Sequence, residues 1–557
     1  MKKYIIGVDY GTLSARAIVV ERATGRTLGE CTFVYPHGVM DQALPDGTPL
    51  NGFDWALAHP ADYLEALRTI IPGAVRSADI SSKEVGALAI AATACTLLPV
   101  DAALAPLCTR PEFANHPHAY LKLWKHHRAQ AYADRMTEIV QAMEPSILDC
   151  YGGRISSEWA IPKSMEIYYE DPAVYSAADR FMQVSDWLTA CLTGNAELQN
   201  GSIAQYKAMW SRRNGRPSEA YFTRIGKEIP EIIHSKLRGQ MLMAGECAGN
   251  LCRSAAETLG LSEETVVAMA HTDAHSGALG VGACDDGDYV FIIGTSSCGH
   301  LITKQTAFVP GVTGALSDGL LPGFTCYSAG QACVGDMLDW FITRTIPENY
   351  TAFAQKHGKN LHQTLEEMAA AQAPGECGLV ALDWFNGNRS TLTNANLSGL
   401  LLGLTMETKP EDIYRALLDS ISFGHREIVD NFLKHGLEIR RIILCGGIAH
   451  KNRLLLQIMA DVLNRPLDVS SEPQATALGA AICAAAAMEK IPLADAIRRM
   501  RCGVRETIFP NPENAMRYED IYGIYHQLYN FFGRERPDLM ASLRGKHPSC
   551  RKDDKKC

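Results

Sequence analysis

The chain opens on IIGVDYGTLSARAIVV (residues 5–20), where two apolar runs, 5–8 and 15–20, flank Asp9, Tyr10, Gly11, Thr12, Leu13 and Ser14. Apolar runs of this length bounded by turn residues predict two buried strands that turn at Gly11. A hairpin needs only a glycine and a polar residue. This tip gathers a carboxylate, a glycine and two hydroxyls. Residues 62–71 then place Tyr63, Leu64, Leu67 and Ile70 at helical spacing, and 85–94 is again apolar and strand-like. From about 111 to 240 the chain is richer in aromatic and charged residues, as in HAYLKLWKHH, GGRISSEW and QYKAMWSRRNG, and reads as helices with loops.

A second strand and turn, YVFIIGTSS (289–297), repeats the opening pattern, with an apolar run leading into Gly-Thr and serine close behind. Two ordinary hairpins and a duplicated half both account for the match. The mid-chain position suggests duplication, with a boundary near residue 285. Residues 411–435 carry Ile413, Leu417, Leu418, Ile421, Ile428 and Phe432 on one helical face, and Gly436 stands where a C-terminal cap belongs. A buried strand at 442–445 runs into Gly446 and Gly447, followed by a helix from Asn452 to about 463 and a short strand at 467–469. The alanine-rich helix at 475–487 has little bulk, which suits either a tight helix–sheet contact or a ligand wall. Strand-like and helical runs alternating over most of the length predict an α/β fold.

Composition narrows the class. At 557 residues the chain exceeds a single core and is expected to form two large domains. Hydrophobic residues at 47% and charged residues at 21% are those of a soluble globular enzyme. A net charge of −9 excludes a nucleic-acid surface built from bulk basicity and leaves room for local anion binding. The 17 cysteines include no CxxC pair, and Cys445 and Cys483 lie in apolar runs, so a reducing cytosol is expected. The first apolar run meets Asp9 too soon for a signal peptide, and residues 85–100 are too few to span a bilayer. No membrane segment is expected.

The candidate chemistry is phosphate binding. Glycine lets backbone N–H groups approach an anion closely. Gly11-Thr12 and Gly294-Thr295 both supply such donors, with hydroxyls from Thr12, Ser14, Thr295 and Ser296. Asp9 would repel a phosphate unless a cation, most simply hydrated Mg²⁺, stood between them. Neither a P-loop nor a GxGxxG fingerprint occurs at these turns. Gly446 and Gly447, with Asn452 opening the next helix, offer a further stretch of bare backbone or else a close strand-to-helix crossing. In AMAHTDAHSGALG (268–280), Asp273 suits a helix cap or a general base. His271 and His275 flank it without a third metal ligand in view.

In this order and spacing, the motifs resemble the FGGY family of carbohydrate kinases, members of the sugar kinase, Hsp70 and actin ATPase superfamily. The likeness runs from Tyr4 to about Met488: DYGT and IIGTSS resemble its two phosphate turns, and LCGGIAHKNRLLLQIMADVLNRP with ATALGAAICA its adenosine motif. Within the family it is strongest to the bacterial L-ribulokinases, through RPEFANHPHAYLKLWKHHRA, YGGRISSEW, TDAHSGALGVGA, AGQACVGDMLDWF and LDWFNGNRS. The resemblance implies two ribonuclease-H-like domains around a central cleft: residues 1–285 with the sugar site and first phosphate turn, and 286–540 with the nucleotide site. Residues 541–557 are left as a polar tail, expected to be disordered. It further implies MgATP-dependent phosphorylation of a ketopentose at its terminal hydroxyl, most simply L-ribulose at C5 in L-arabinose breakdown. By the same resemblance Asp273 is the base, and Ala94, Cys95, Trp124, Lys207 and Ser328 border the sugar. Gly11, Thr12, Ser14, Gly294, Thr295, Gly446, Gly447 and Asn452 face ATP, and Asp9 holds Mg²⁺ through water. Ser328 departs from the pattern, which commonly has glutamate directly before AGQ, and this opens the exact sugar: D-ribulose, the xyluloses and ribitol stay in view. A non-catalytic sugar or nucleotide sensor is the rival from another class. A small sugar is the expected partner, nucleic acid and membrane are not, and a homodimer is compatible with the resemblance.

Overall fold

The computed structural model describes residues 2–52 and 54–544. They form two compact units. Unit 1 holds the chain up to Cys284 together with Leu316–Cys326 and Gln474–Cys502; unit 2 holds Asp285–Ala315, Tyr327–Pro473 and the described residues from Gly503 onward. The units are therefore not contiguous in sequence, because the alanine-rich helix folds with the first one. Helix Pro537–Arg544 enters the start of the polar tail, and 545–557 lie outside the described residues.

Unit 1 is built on a six-stranded sheet of β1 (Tyr4–Tyr10), β2 (Ser14–Glu21), β3 (Thr27–Val34), β4 (Val85–Ala92), β5 (Cys247–Asn250) and β6 (Val266–Thr272), in the order β5-β6-β4-β1-β2-β3. β1 pairs antiparallel with β2 and parallel with β4; β4 pairs parallel with β6, and β5 closes the edge antiparallel to β6. The continuous apolar runs in β1 and β4 are buried throughout, apart from Tyr4, as befits strands covered on both faces.

Unit 2 is built on β7 (Asp288–Ile293), β8 (Ser297–Thr303), β9 (Gly314–Ser317), β10 (Thr325–Gln331), β11 (Arg441–Cys445), β12 (Leu467–Ser470) and β13 (Val504–Ile508), in the order β9-β10-β8-β7-β11-β12-β13. β7 pairs antiparallel with β8 and parallel with β11, β11 parallel with β12, and β12 antiparallel with β13. Apart from the additional edge strand β9, this order repeats that of unit 1, with β10, β8, β7, β11, β12 and β13 in the places of β3, β2, β1, β4, β6 and β5. The two Gly-Thr turns thus occupy equivalent places in two copies of one ribonuclease-H-like topology, and the reading as unrelated hairpins falls.

The predicted helices form with shifted ends. The first runs Pro60–Ser77, with the His59 ring capping it. The amphipathic helix runs Pro410–Lys434, and Gly436 takes the left-handed conformation at φ +79° that makes glycine useful after a helix. The alanine-rich helix, Ala475–Glu489, settles its own ambiguity within unit 1. A Cβ on Gly7 of β1 would lie 1.8 Å from the Ala477 carbonyl oxygen, one on Gly280 2.0 Å from that of Ala475, and one on Gly479 1.8 Å from that of Ser276. Small residues here let backbones touch.

Gly479→Ala measures that contact. In an exposed helix the change would stabilise by about 1 kcal/mol. Here we expect it to destabilise unit 1 by about 1–3 kcal/mol through overpacking, read as a lower urea midpoint at unchanged slope.

Candidate active site

In unit 1 the opening hairpin is closed by Gly11 N–H donating to the Ser14 carbonyl at 3.0 Å. Asp9 lies at the buried end of β1 and pairs across the ladder with Arg16, whose guanidinium is 3.7 Å from the Asp9 carboxylate and 3.1 Å from the Ser14 hydroxyl. Burial pushes the Asp9 carboxyl up to about 7, Arg16 pulls it down, and the nearby Asp273 carboxylate raises it further. Arg16 escaped the sequence reading. It stands opposite Asp9 because the turn spans Gly11–Ser14 and is centred between Thr12 and Leu13, a register that a turn placed at Gly11 alone does not give.

Asp273 opens helix Asp273–Gly280 directly after β6. The cap position belongs to Thr272, so Asp273 is not the cap that its spacing allowed. Its Oδ1 accepts from Ala274 N–H at 2.8 Å and from the Thr272 hydroxyl at 3.0 Å, while Oδ2 has no partner among the described residues. Burial raises its pKa against these two hydrogen bonds. His271 and His275 are both buried, and a ring nitrogen of His271 pairs with the Leu320 carbonyl at 2.9 Å.

The remaining unit 1 candidates gather around these carboxylates. The Trp124 indole N–H donates to the Thr12 hydroxyl at 3.1 Å, tying the aromatic segment to the hairpin tip. Ala94 and Cys95 lie in the turn after β4, Cys95 at φ +59°. Burial pushes the Cys95 thiol up to about 11, against the pull of the Lys207 ammonium, with Glu158 and Asp273 also within electrostatic reach. Lys207 ends helix Gly201–Lys207 and lies 3.7 Å from the Glu158 carboxylate.

Two supports were not foreseen. Lys163 is fully buried on helix Ala160–Glu170, and its ammonium donates to the carbonyls of Cys95 and Leu123 at 2.7 Å each and of Lys122 at 3.4 Å. It clamps the Cys95 turn to the segment bearing Trp124, and burial lowers its pKa to about 8. Beside it, buried Glu166 accepts from His126 at 3.0 Å and lies 3.5 Å from the Lys122 ammonium. Burial alone would raise the Glu166 pKa, but Lys122 and His126 hold it well below the usual carboxylate range. The crowded charges of KLWKHHR hinted at such a network, but its acidic partner is some forty positions away.

In unit 2, Gly294 N–H donates to the Ser296 carbonyl at 2.9 Å, the counterpart of the Gly11 turn. The Gly294 and Thr295 carbonyls accept from Gly335, Val334 and Asp336 at 2.9–3.2 Å, which fixes the turn against helix Gly335–Arg344. Gly446 follows β11 at φ +94°, where a Cβ would come within 2.5 Å of the Ile293 carbonyl oxygen, whereas a Cβ on Gly447 would meet open space. So Gly446 makes the close crossing and Gly447 offers bare backbone. Asn452 is committed elsewhere: its side-chain oxygen caps helix Arg453–Leu463 at Leu455 N–H, and its amide reaches the Tyr414 hydroxyl at 3.4 Å. Ser328 is buried on β10 and shares a hydrogen bond of 3.1 Å with His300.

Residues 4–280 match the N-terminal domain, and 289–488 the C-terminal domain, of the FGGY family of carbohydrate kinases. The chain belongs to this family. As an FGGY carbohydrate kinase it is a sugar kinase, and sugar kinases of this family use ATP, usually with Mg²⁺. Among its relatives, a ribulokinase of Shouchella clausii is 42% identical over 98% of both chains, and a ribulokinase of Mycolicibacterium smegmatis is 42% identical over 97% of this chain and 96% of the other. Two solved structures share the fold. The xylulose kinase of Lactobacillus acidophilus has a TM-score of 0.78 at 18% identity, covering 96% of this chain and all of the other. That of Rhodospirillum rubrum has 0.76 at 21% identity, covering 95% and 99%. Among the described residues no helix is long and apolar enough to cross a membrane.

Lys163→Met removes the clamp while nearly keeping the volume. Three carbonyls lose their donor, so we expect a loss of about 2–5 kcal/mol in unfolding free energy, with weaker sugar binding read by calorimetry.

Proposed function

We propose that this kinase phosphorylates the C5 hydroxyl of L-ribulose, with Asp273 as general base. The observation that carries the chemistry is the unpartnered Oδ2 of Asp273, whose carboxylate lies within electrostatic reach of Asp9 and Cys95 in the same unit. The substrate follows from the ribulokinase relatives, similar over nearly their whole length. Sugar hydroxyls meet Lys207, Trp124 and the Ala94-Cys95 turn, and Oδ2 takes the C5 hydroxyl proton as the oxygen attacks the γ-phosphorus of ATP, whose bond to the β,γ-bridging oxygen breaks to release ADP. In unit 1 the turn at Gly11 presents Thr12 and Ser14, and in unit 2 the turn at Gly294 presents Thr295, as N–H and O–H donors suited to phosphate oxygens, where they would offset developing charge. Adenosine lies along the bare backbone at Gly447.

Asp9 fits a hydrated Mg²⁺. Its carboxylate is buried near that of Asp273 and has only the Arg16 guanidinium at 3.7 Å to offset it, so a further cation would favour its ionised form, and an octahedral ion that keeps most of its waters needs few protein ligands. When bound, the ion would screen the phosphoryl oxygens from Asp9. Ser328 can hydrogen-bond a sugar hydroxyl but brings no charge to it.

Asp273→Asn should lower kcat by about 10²-fold or more and leave ATP affinity near wild type. Because burial raises the pKa of Asp273, wild-type kcat should fall with decreasing pH at values above the usual carboxylate range, and the variant should lose that limb. Turnover near wild type in Asp273→Asn would sink the assignment.

A further inference from the structure

We infer that Asn200 is a positioning residue that sets Lys207 and Asp273 relative to each other. Asn200 is 2% exposed and ends the short strand Leu198–Asn200 just before the Lys207 helix. Every polar group of its side chain is used. Its Oδ1 accepts from Ile203 N–H at 3.1 Å and so caps helix Gly201–Lys207. Its Nδ2 donates to the Ala270 carbonyl at 2.7 Å, three residues ahead of Asp273. Its own backbone N–H is held by the buried Asp186 carboxylate at 3.0 Å.

The register of the sheet shows why this bond matters. β6 pairs with β4 regularly up to Met269, opposite Ile90, and then resumes at Thr272, opposite Ala92. Ala270 and His271 therefore stand against Ala91 alone, a bulge in the strand that delivers Asp273. A bulge bends its strand, interrupts the ladder and re-aims the side chains that follow it. The Asn200 amide holds the strand at the bulge, where the ladder is interrupted. One planar amide thus fixes the start of the Lys207 helix with its oxygen and the bulge before Asp273 with its nitrogen. It touches neither sugar nor nucleotide in this account and acts only through those two residues.

The inference rests on Asp273 being the base and Lys207 a sugar ligand, so its test must fail separately from that reading. A serine at 200 keeps a good helix cap but cannot reach Ala270. Asn200→Ser should therefore lower kcat by about 10- to 100-fold, the size of effect that a misplacement near 1 Å produces, with the KM for L-ribulose little changed. Asn200→Ala also loses the cap and should raise KM as well. Asn200→Asp keeps the cap and sets oxygen against the Ala270 carbonyl, and it should behave like the serine variant. In both cap-retaining variants, backbone amides of residues 271–274 should exchange with deuterium faster than in the wild type. Wild-type kcat in Asn200→Ser, parallel changes in kcat and KM, or loss of folding in both cap-retaining variants would overturn the inference and leave Asn200 a structural cap. If Asp273→Asn is inactive in the same assays, that failure belongs to Asn200 alone. If Asp273→Asn turns over normally, the base assignment fails first.

Discussion

Backbone against backbone is the contact on which unit 1 depends. Gly7 of β1, Gly280 at the end of the Asp273 helix and Gly479 in the alanine-rich helix all lie where a single methyl group would strike a carbonyl. Through these three points a segment from residue 474 onward is seated on a sheet formed by the first 272 residues. The helix that begins with Asp273 is held between β6 and the alanine-rich helix, and the carboxylate gains its place from packing of backbone on backbone. Where side chains are absent, there is no rotamer freedom to relax the arrangement. The bulge and Asn200 then set the last few residues.

A second theme is the burial of charge in pairs. Asp9 is held beside Arg16, and Glu166 beside Lys122 and His126. Lys163 is held by carbonyl oxygens instead of a carboxylate. Each such group is costly in an apolar interior and is tolerated because several hydrogen bonds or an opposite charge meet it. Asp273 differs from them, since half of its carboxylate is left unpaired. Asp273 is only partly buried, so its free oxygen stays open to a ligand.

Much of this was legible in the chain itself. Strands β1, β4, β7 and β11 are built on apolar runs, which β2 shares apart from Arg16, and these runs with their glycines announce them. The two Gly-Thr turns and the GG after β11 could be read because glycine has a distinct conformational role at each. The supports could not. Lys163, Glu166 and Asn200 act on residues 40 to 70 positions away, and in the sequence each is one polar residue in an ordinary helix or turn. The alanine-rich helix was recognised, but its membership of unit 1 depends on contacts with Gly7 and Ser276 that no local pattern encodes. Asp273 was ambiguous for the same reason: cap and base differ only in which atoms surround the carboxylate, and Thr272 proved to hold the cap position.

One transfer between two substrates is the central reaction. Purified enzyme mixed with MgATP and L-ribulose, followed by phosphorus NMR with carbon coupling, reads both the event and its position. The prediction is ADP formed only when sugar is present, one phosphate ester per ADP, and that ester on C5. ADP formed at the same rate without sugar, or an ester on another oxygen, would contradict it.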